Sequence, residues 1–491
     1  MSEGNAMEFT HVTSVLLGLV IILNILFATI VIFFERREAS TTWAWLLVLY
    51  FLPVVGFILY LLFGTSLRHA HLFQWEDKKK IGIEEILDKQ MEELSTEHFP
   101  FRNTSSSHYR DLIYMHLRNN DAVLTEDNQV DIFTEGKKKF DQLFKDIEAA
   151  ENHIHIQYYI IQRDDLGKRF LEALTKKANE GVKVRLLYDE LGSRGMTKSF
   201  FKEFRQAGGR VEAFFPSKLK FINLRLNFRN HRKLVIIDGK VGYVGGFNVG
   251  DEYLGLNPKF GYWRDTHLRI KGSAVKAIQT RFILDWNQAS KYHDITYHPH
   301  YFPTLEPQGK IDLQIVTSGP DSEWEQIKNG YIKLISSAKK SILIQTPYFI
   351  PDASLLDALR IASLSGLDVK IMIPNKPDHL FVYWATTYNA GQLLRAGAKV
   401  YIYDNGFIHA KMIVVDEEVS SVGTANIDVR SFKLNFEVNA FIYDEGMAQT
   451  LTSFFYKDVE VCRQLTIEEF EKRSKWIRFK ESIARLLSPI L

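Results

Sequence analysis

The sequence predicts an α/β protein: one domain of mixed sheet flanked by helices, built twice in tandem behind an N-terminal helical hairpin. Three observations carry this. Short apolar runs alternate with amphipathic stretches from about residue 126 onward. The alternation starts again after residue 305. Two long apolar runs open the chain.

The opening runs span residues 12–34 and 43–63. Each approaches the ~20 residues a helix needs to cross a ~30 Å hydrocarbon core. A cleaved signal peptide would need a basic start and a shorter apolar stretch. The expectation is therefore a transmembrane hairpin over residues 1–66, with Trp43, Trp45, Tyr50 and Tyr60 at interfacial depths. Arg36 and Arg37 lie between the runs, and Arg68, Lys78, Lys79 and Lys80 follow the second. The excess of basic residues after the hairpin places the remainder on the cytoplasmic side. Residues 67–125 read as a polar connector.

In the first half, residues 126–305, IHIQYYII (154–161) reads as a buried strand, Gly167–Glu180 as a helix and VKVRLLYD (182–189) as the next strand. In the second half, residues 306–491, SILIQTPYFI (341–350), Ala353–Ser365 and LDVKIMIP (367–374) repeat the order. Alternation of this kind builds α/β domains. The repeat is too long for a solenoid, so it is a duplication. The boundary falls near 300–310, where prolines and a glycine interrupt the pattern.

With 491 residues, 46% hydrophobic and 24% charged, the chain has material for two cores. A net charge of +2 provides no global field for a polyanion, so any basic surface is local. The single cysteine, Cys462, excludes an intrachain disulfide and a cysteine-rich metal site.

Two polar clusters show the duplication most clearly. HRKLVIIDGKVGYVGGFN (231–248) and HAKMIVVDEEVSSVGTAN (409–426) match at a constant offset of 178 residues: His231/His409, Lys233/Lys411, Asp238/Asp416, Gly245/Gly423 and Asn248/Asn426. One His-x-Lys is ordinary surface sequence; two copies with Asp, Gly and Asn in step are not. Positions i and i+2 share a strand face, which here gathers an imidazole and an ammonium. Such a pair suits a phosphodiester. Two lysines stabilise charge developing on the phosphoryl oxygens, and Asn248 and Asn426 add amide donors. One histidine can attack phosphorus while the other shuttles the proton. Asp238 and Asp416 belong to the motif, and their place at a strand end suits anchoring.

These clusters resemble the paired HxKxxxxDxxxxxxGxxN signature of the phospholipase D superfamily. Nearly the whole chain is similar to one branch, bacterial cardiolipin synthase. That similarity runs through AWLLVLYFLPVVGFILYLLFG (44–64), RNHRKLVIIDGKVGYVGGFNVGDEYLG (229–255), QTPYFIPD (345–352), GTANIDVRSFKLNFE (423–437) and SIARLLSPIL (482–491). The resemblance implies an active site between the halves, with His231, Lys233, Asp238, His409, Lys411 and Asp416 as its catalytic set. It implies carboxylates, Asp265 and Glu437, that orient the histidines. It implies phosphatidyl transfer between two phosphatidylglycerols through a phosphatidyl-histidine, with no metal or cofactor and no nucleic acid partner. His231 is expected as nucleophile and His409 as acid/base. A hydrolytic phospholipase D and a nuclease use the same chemistry and remain alternatives, as does a non-catalytic scaffold.

Two basic, aromatic stretches suit an anionic membrane surface; the first would also suit single-stranded nucleic acid or a strand pair with solvated charges, and the second simple packing on the domain. The first runs over 214–233, with Lys218, Lys220, Arg225, Arg229 and Arg232 among Phe214, Phe215, Phe221, Leu224, Leu226 and Phe228. The second is the C-terminal tail, with Lys472, Arg473, Lys475, Arg478, Lys480 and Arg485 around Trp476, Ile477, Phe479, Leu486 and Leu487.

Overall fold

The computed structural model describes residues 39–64, 76–96, 98–216 and 227–487, with scattered positions between 11 and 29 and residues 67, 72, 73 and 225. It divides into two units, residues 1–70 with 216–228, and residues 71–215 with 229–491. Most of the first apolar run, Arg36, Arg37, Arg68, Lys218, Lys220, Phe221, Leu224 and Leu226, and residues 488–491 lie outside the described residues.

In the first unit, the run expected as one helix over 43–63 is broken. An α-helix spans Ala39–Phe51, a second spans Pro53–Leu59, and a π-turn covers Tyr60–Gly64. The break is at Leu52, whose backbone leaves the helical region just before Pro53. Proline disfavours helical geometry at the preceding residue. Among the described residues no helix is long and apolar enough to cross a membrane.

The second unit holds both repeats, and their sheets match strand for strand. In the first half, β1 (Thr125–Glu135), β2 (His153–Tyr158), β3 (Lys183–Asp189), β4 (Arg210–Phe214), β5 (Leu234–Ile237), β6 (Val241–Gly245) and β7 (Trp263–Lys271) pair in the order 4-3-2-5-6-7-1. In the second, β8 (Ile311–Ser318), β9 (Ser341–Gln345), β10 (Asp368–Pro374), β11 (Lys399–Tyr403), β12 (Met412–Val415), β13 (Val419–Gly423) and β14 (Asn435–Ile442) pair in the order 11-10-9-12-13-14-8. The first three strands of each order run parallel and the rest antiparallel, so both sheets are mixed. β1 also pairs with β8, joining the sheets edge to edge. A last strand, β15 (Cys462–Leu465), extends the second sheet beyond β11.

Each half has its own apolar core. Phe140, Leu143, Ile154, Ile156, Phe170 and Val235 form the first. Ile342, Ile344, Leu355, Ile371, Ile413 and Phe441 form the second. The polar connector is no mere linker. Its helices Ile83–Ser95 and Arg110–Asn120 bury Leu94, Leu112, Ile113 and Leu117 in the second core.

The motif aspartates take their role from the hairpins β5–β6 and β12–β13. Lys240 N donates to Ile237 O (2.9 Å) and Glu418 N to Val415 O (3.0 Å), closing two tight turns. Both central residues of each turn are left-handed: Asp238 (φ 53°) and Gly239 (φ 65°), then Asp416 (φ 55°) and Glu417 (φ 58°). These are the mirror-image turns that match strand twist. The Asp238 carboxylate accepts the amides of Glu151, Asn152 and His153 at 2.7–2.8 Å. Asp416 accepts those of Lys339, Lys340 and Ser341 at 2.7–2.8 Å. Each aspartate thus locks the start of the neighbouring strand, β2 or β9.

Glu417 occupies a position where an L side chain costs about 1–2 kcal/mol. We predict that Glu417→Gly stabilises the protein by up to about 1 kcal/mol, the gain being reduced by the entropy glycine adds to the unfolded chain. Gly239→Glu has the opposite sign, because a Cβ there would lie 2.6 Å from the Tyr301 carbonyl oxygen. Chemical denaturation of the two variants checks both signs.

Candidate active site

His231 and His409 precede β5 and β12, and each backbone amide is donated to the other half. His231 N donates to Phe436 O (3.0 Å), and His409 N to Arg264 O (2.7 Å). Short parallel pairings continue these contacts, Arg229–Asn230 beside β14 and Phe407–Ile408 beside β7. The strand carrying each histidine therefore lies against the strand carrying the other half's carboxylate.

The side chains cross in the same way. His231 Nδ1 is 2.9 Å from Glu437 Oε2, and His409 Nδ1 is 2.6 Å from Asp265 Oδ2. The structure brings together all four residues, and it pairs them between halves. Nδ1–H donates to the carboxylate in each pair, which fixes the tautomer and leaves the Nε2 lone pair for chemistry. Both histidines are almost fully buried, and both carboxylates wholly so.

Burial sets the protonation states. It pulls both histidines down to about 4, against the raising effect of Glu437 on one and Asp265 on the other, and with the lysines adding to the fall. Both rings are neutral at pH 7. Burial alone would raise Glu437, but His231, Lys233 and the Thr424 hydroxyl hold it below its ordinary value. Burial likewise opposes Lys411, His409 and the Thr266 amide at Asp265, and they prevail. Lys233 and Lys411 donate to the carbonyls of His231 and His409. Burial drives Lys233 well down and brings Lys411 to about 8. Lys411 Nζ is also 2.9 Å from His409 Nδ1. That nitrogen's proton is directed at Asp265, so it has no lone pair to offer the ammonium.

The two carboxylates are housed differently. A Cβ on Gly246 would overlap Asp265, so glycine is required there. The equivalent residue of the second half is Thr424, whose hydroxyl donates to Glu437 at 2.6 Å.

The remaining motif residues separate into two groups. Asp238 and Asp416, expected in the catalytic set, lie apart from it: four strand residues divide each from its histidine and lysine, and their oxygens accept backbone amides. Asn248 accepts the Ile160 amide (3.1 Å) and donates to the Tyr253 hydroxyl (3.2 Å), leaving its second amide proton for a ligand. Asn426 hydrogen-bonds the Asp428 carboxylate, and its own Oδ1 is buried without a partner.

Where it is described, the basic stretch at 214–233 is mostly buried, with Arg225 exposed. Phe214, Phe215 and Phe228 are buried. Arg229 pairs with buried Asp189 (3.1 Å), and Arg232 Nη1 donates to both oxygens of buried Asp285 (2.8 and 2.9 Å) while Nε and Nη2 donate to Glu437 O (3.1 Å) and Ser318 O (3.1 Å). On the other side Arg264 performs this task, pairing with Asp458 (2.9 Å). Gln157 Nε2 reaches Asp285 (2.7 Å) and Gln345 Nε2 reaches Asp458 (2.8 Å). The motif did not point to these supports. The glutamine shared by IHIQ and ILIQ was the available signal.

Residues 143–286 and 331–459 match the family model described as cardiolipin synthase, PLD-like domain. The chain belongs to this family. Residues 22–64 match the phospholipase D-nuclease N-terminal model. The chain is 70% identical to the major cardiolipin synthase ClsA of Bacillus subtilis strain 168, covering 98% of this chain and all of that relative. It is 59% identical to a cardiolipin synthase of Listeria monocytogenes, over 97% and 99% of the two chains. A solved structure of phosphatidylserine synthase from Haemophilus influenzae covers 78% of this chain and all of that one, with a TM-score of 0.59 at 15% identity. That likeness establishes a shared fold.

Removing a carboxylate that orients a histidine removes only one half of the crossed arrangement. We predict that Glu437→Gln perturbs the titration of His231 and Asp265→Asn that of His409, each lowering turnover by about 10- to 100-fold. Histidine NMR titrations on the two variants check the crossing.

Proposed function

We propose that the chain transfers a phosphatidyl group between two phosphatidylglycerol molecules, giving cardiolipin and glycerol. The observation that carries this reading is the pair of neutral histidines, each with Nδ1 held by the other half's carboxylate, in a chain 70% identical to a cardiolipin synthase.

His231 Nε2 attacks phosphorus, and the bond from phosphorus to the glycerol oxygen breaks. His409 supplies the proton that the leaving glycerol takes. A hydroxyl of the second phosphatidylglycerol then gives its proton to His409 and attacks phosphorus, breaking the P–N bond. Lys233 and Lys411, with an amide proton of Asn248, face the phosphoryl oxygens. A phosphodiester anion brought between the lysines raises the His409 pKa, so substrate itself generates the acid form.

The apolar runs at the N-terminus anchor the enzyme in the bacterial plasma membrane, with the catalytic halves on the cytoplasmic side. Helix Lys475–Leu487 adds a second contact. One face packs inward through Ala484 and the Arg473–Glu481 ion pair (2.8 Å). The other exposes Trp476 (63%), Phe479 (55%) and Leu486 (68%) among Lys475, Arg478 and Arg485. Aromatic and basic residues on one exposed face suit an anionic bilayer.

Purified enzyme given phosphatidylglycerol is expected to release cardiolipin and glycerol in equal amounts. Phosphatidic acid as the main product would replace this reading with a hydrolase. The pH profile of kcat/KM is expected to peak near pH 4: below it the nucleophilic histidine of the free enzyme is protonated, and above it His409 must take up a proton as substrate binds. The fall steepens above about pH 8, as Lys411 loses the charge that faces the phosphate. Trp476→Glu with Phe479→Glu is expected to weaken binding to vesicles of anionic lipid about tenfold or more, measured by flotation.

A further inference from the structure

The catalytic groups repeat across the halves, but the wall beside them does not. β9 runs against β12 with Gln345 opposite Met412, so the chain leaving β9 passes Lys411. Three residues on, the Tyr348 hydroxyl hydrogen-bonds the half-buried carboxylate of Asp378. Next to it, Phe349 and Ile350 pair with Ile427 and Asp428, which brings a buried second carboxylate to the same wall. In the first half the matching bridge joins Ile161 and Val249. Its neighbours are Ile160 where the second half has Tyr348, and Gly250 where it has Asp428. At these matched positions the second half carries a phenol and a carboxylate where the first has Ile160 and Gly250, while in the first half Tyr159 sets its ring against His231 (4.9 Å between ring centroids).

Acceptor-only carboxylates beside a phosphodiester site weaken the binding of an anion. They are useful where a ligand donates hydrogen bonds, and the alcohol is the part of this substrate that does so. Resting on the function proposed above, we propose that Tyr348 and Asp378, backed by Asp428, form the alcohol subsite. It holds the glycerol that departs and then the glycerol headgroup of the acceptor lipid, beside His409. The subsite raises the local advantage of a polyol hydroxyl over water, which can use only part of its acceptors. Electrostatics agree, since Asp428 and Asp378 both act on Lys411, and Tyr348 feels Asp378, Asp428 and Tyr159.

The test is the ratio of cardiolipin to phosphatidic acid formed from phosphatidylglycerol vesicles by full-length Tyr348→Phe and Asp378→Asn. A fall of at least fivefold against the unaltered enzyme is expected. The ratio is insensitive to the amount of folded enzyme. An unchanged ratio, or loss of both products together in both variants, assigns these residues a structural role and overturns the proposal. Failure of the unaltered enzyme to make cardiolipin would instead overturn the function proposed above, and the control reaction shows it.

Discussion

Everything in the catalytic unit is arranged around two buried imidazole–carboxylate pairs that cross between the halves, His231 with Glu437 and His409 with Asp265. A carboxylate buried to this degree is destabilising unless its charge is met. Here the histidine, a lysine field and a third donor meet it: the Thr424 hydroxyl at Glu437 and the Thr266 amide at Asp265. Removing either partner strands the other in a dry site, a loss on the order of 3–5 kcal/mol. The interactions that orient the reactive groups thus also hold one half to the other, and neither half contains a complete set.

The supports behind the pairs show how duplication and divergence coexist. Asp285 and Asp458 both accept a glutamine from the strand paired with the motif strand and an arginine. The glutamines, Gln157 and Gln345, come from matching strands. The arginines do not. Arg232 sits beside the first histidine, where the second half has Ala410. Arg264 precedes Asp265, where the second half has Phe436, and it crosses to reach Asp458. The same electrostatic need is met from two unrelated positions, both of which tie one half to the other.

This explains what the sequence revealed and what it withheld. The α/β duplication and the two motif histidines were legible, because strand periodicity and motif spacing are local; Asp265 and Glu437 came from the family resemblance. The crossing was not, since each carboxylate follows the nearest motif along the chain but folds against the distant one. The role of the motif aspartates was legible only in part. A left-handed turn and three backbone amides are invisible in an alternation pattern, although the strand-end position hinted at them. The stretch at 214–233 looked like a charged surface because Asp189 and Asp285, which absorb Arg229 and Arg232, lie elsewhere in sequence. The connector misled for the opposite reason: its polar residues are visible, while Leu112, Ile113 and Leu117 form a stripe that only the second core completes.

The central claim is one site per chain, with unequal roles for two similar histidines. Enzyme mixed with phosphatidylglycerol, quenched within a turnover and digested, can be mapped by mass spectrometry for phosphatidyl adducts. The account predicts at most one adduct per chain, on the peptide carrying His231. Chains modified on both His231 and His409 at once would mean two independent sites and would contradict it.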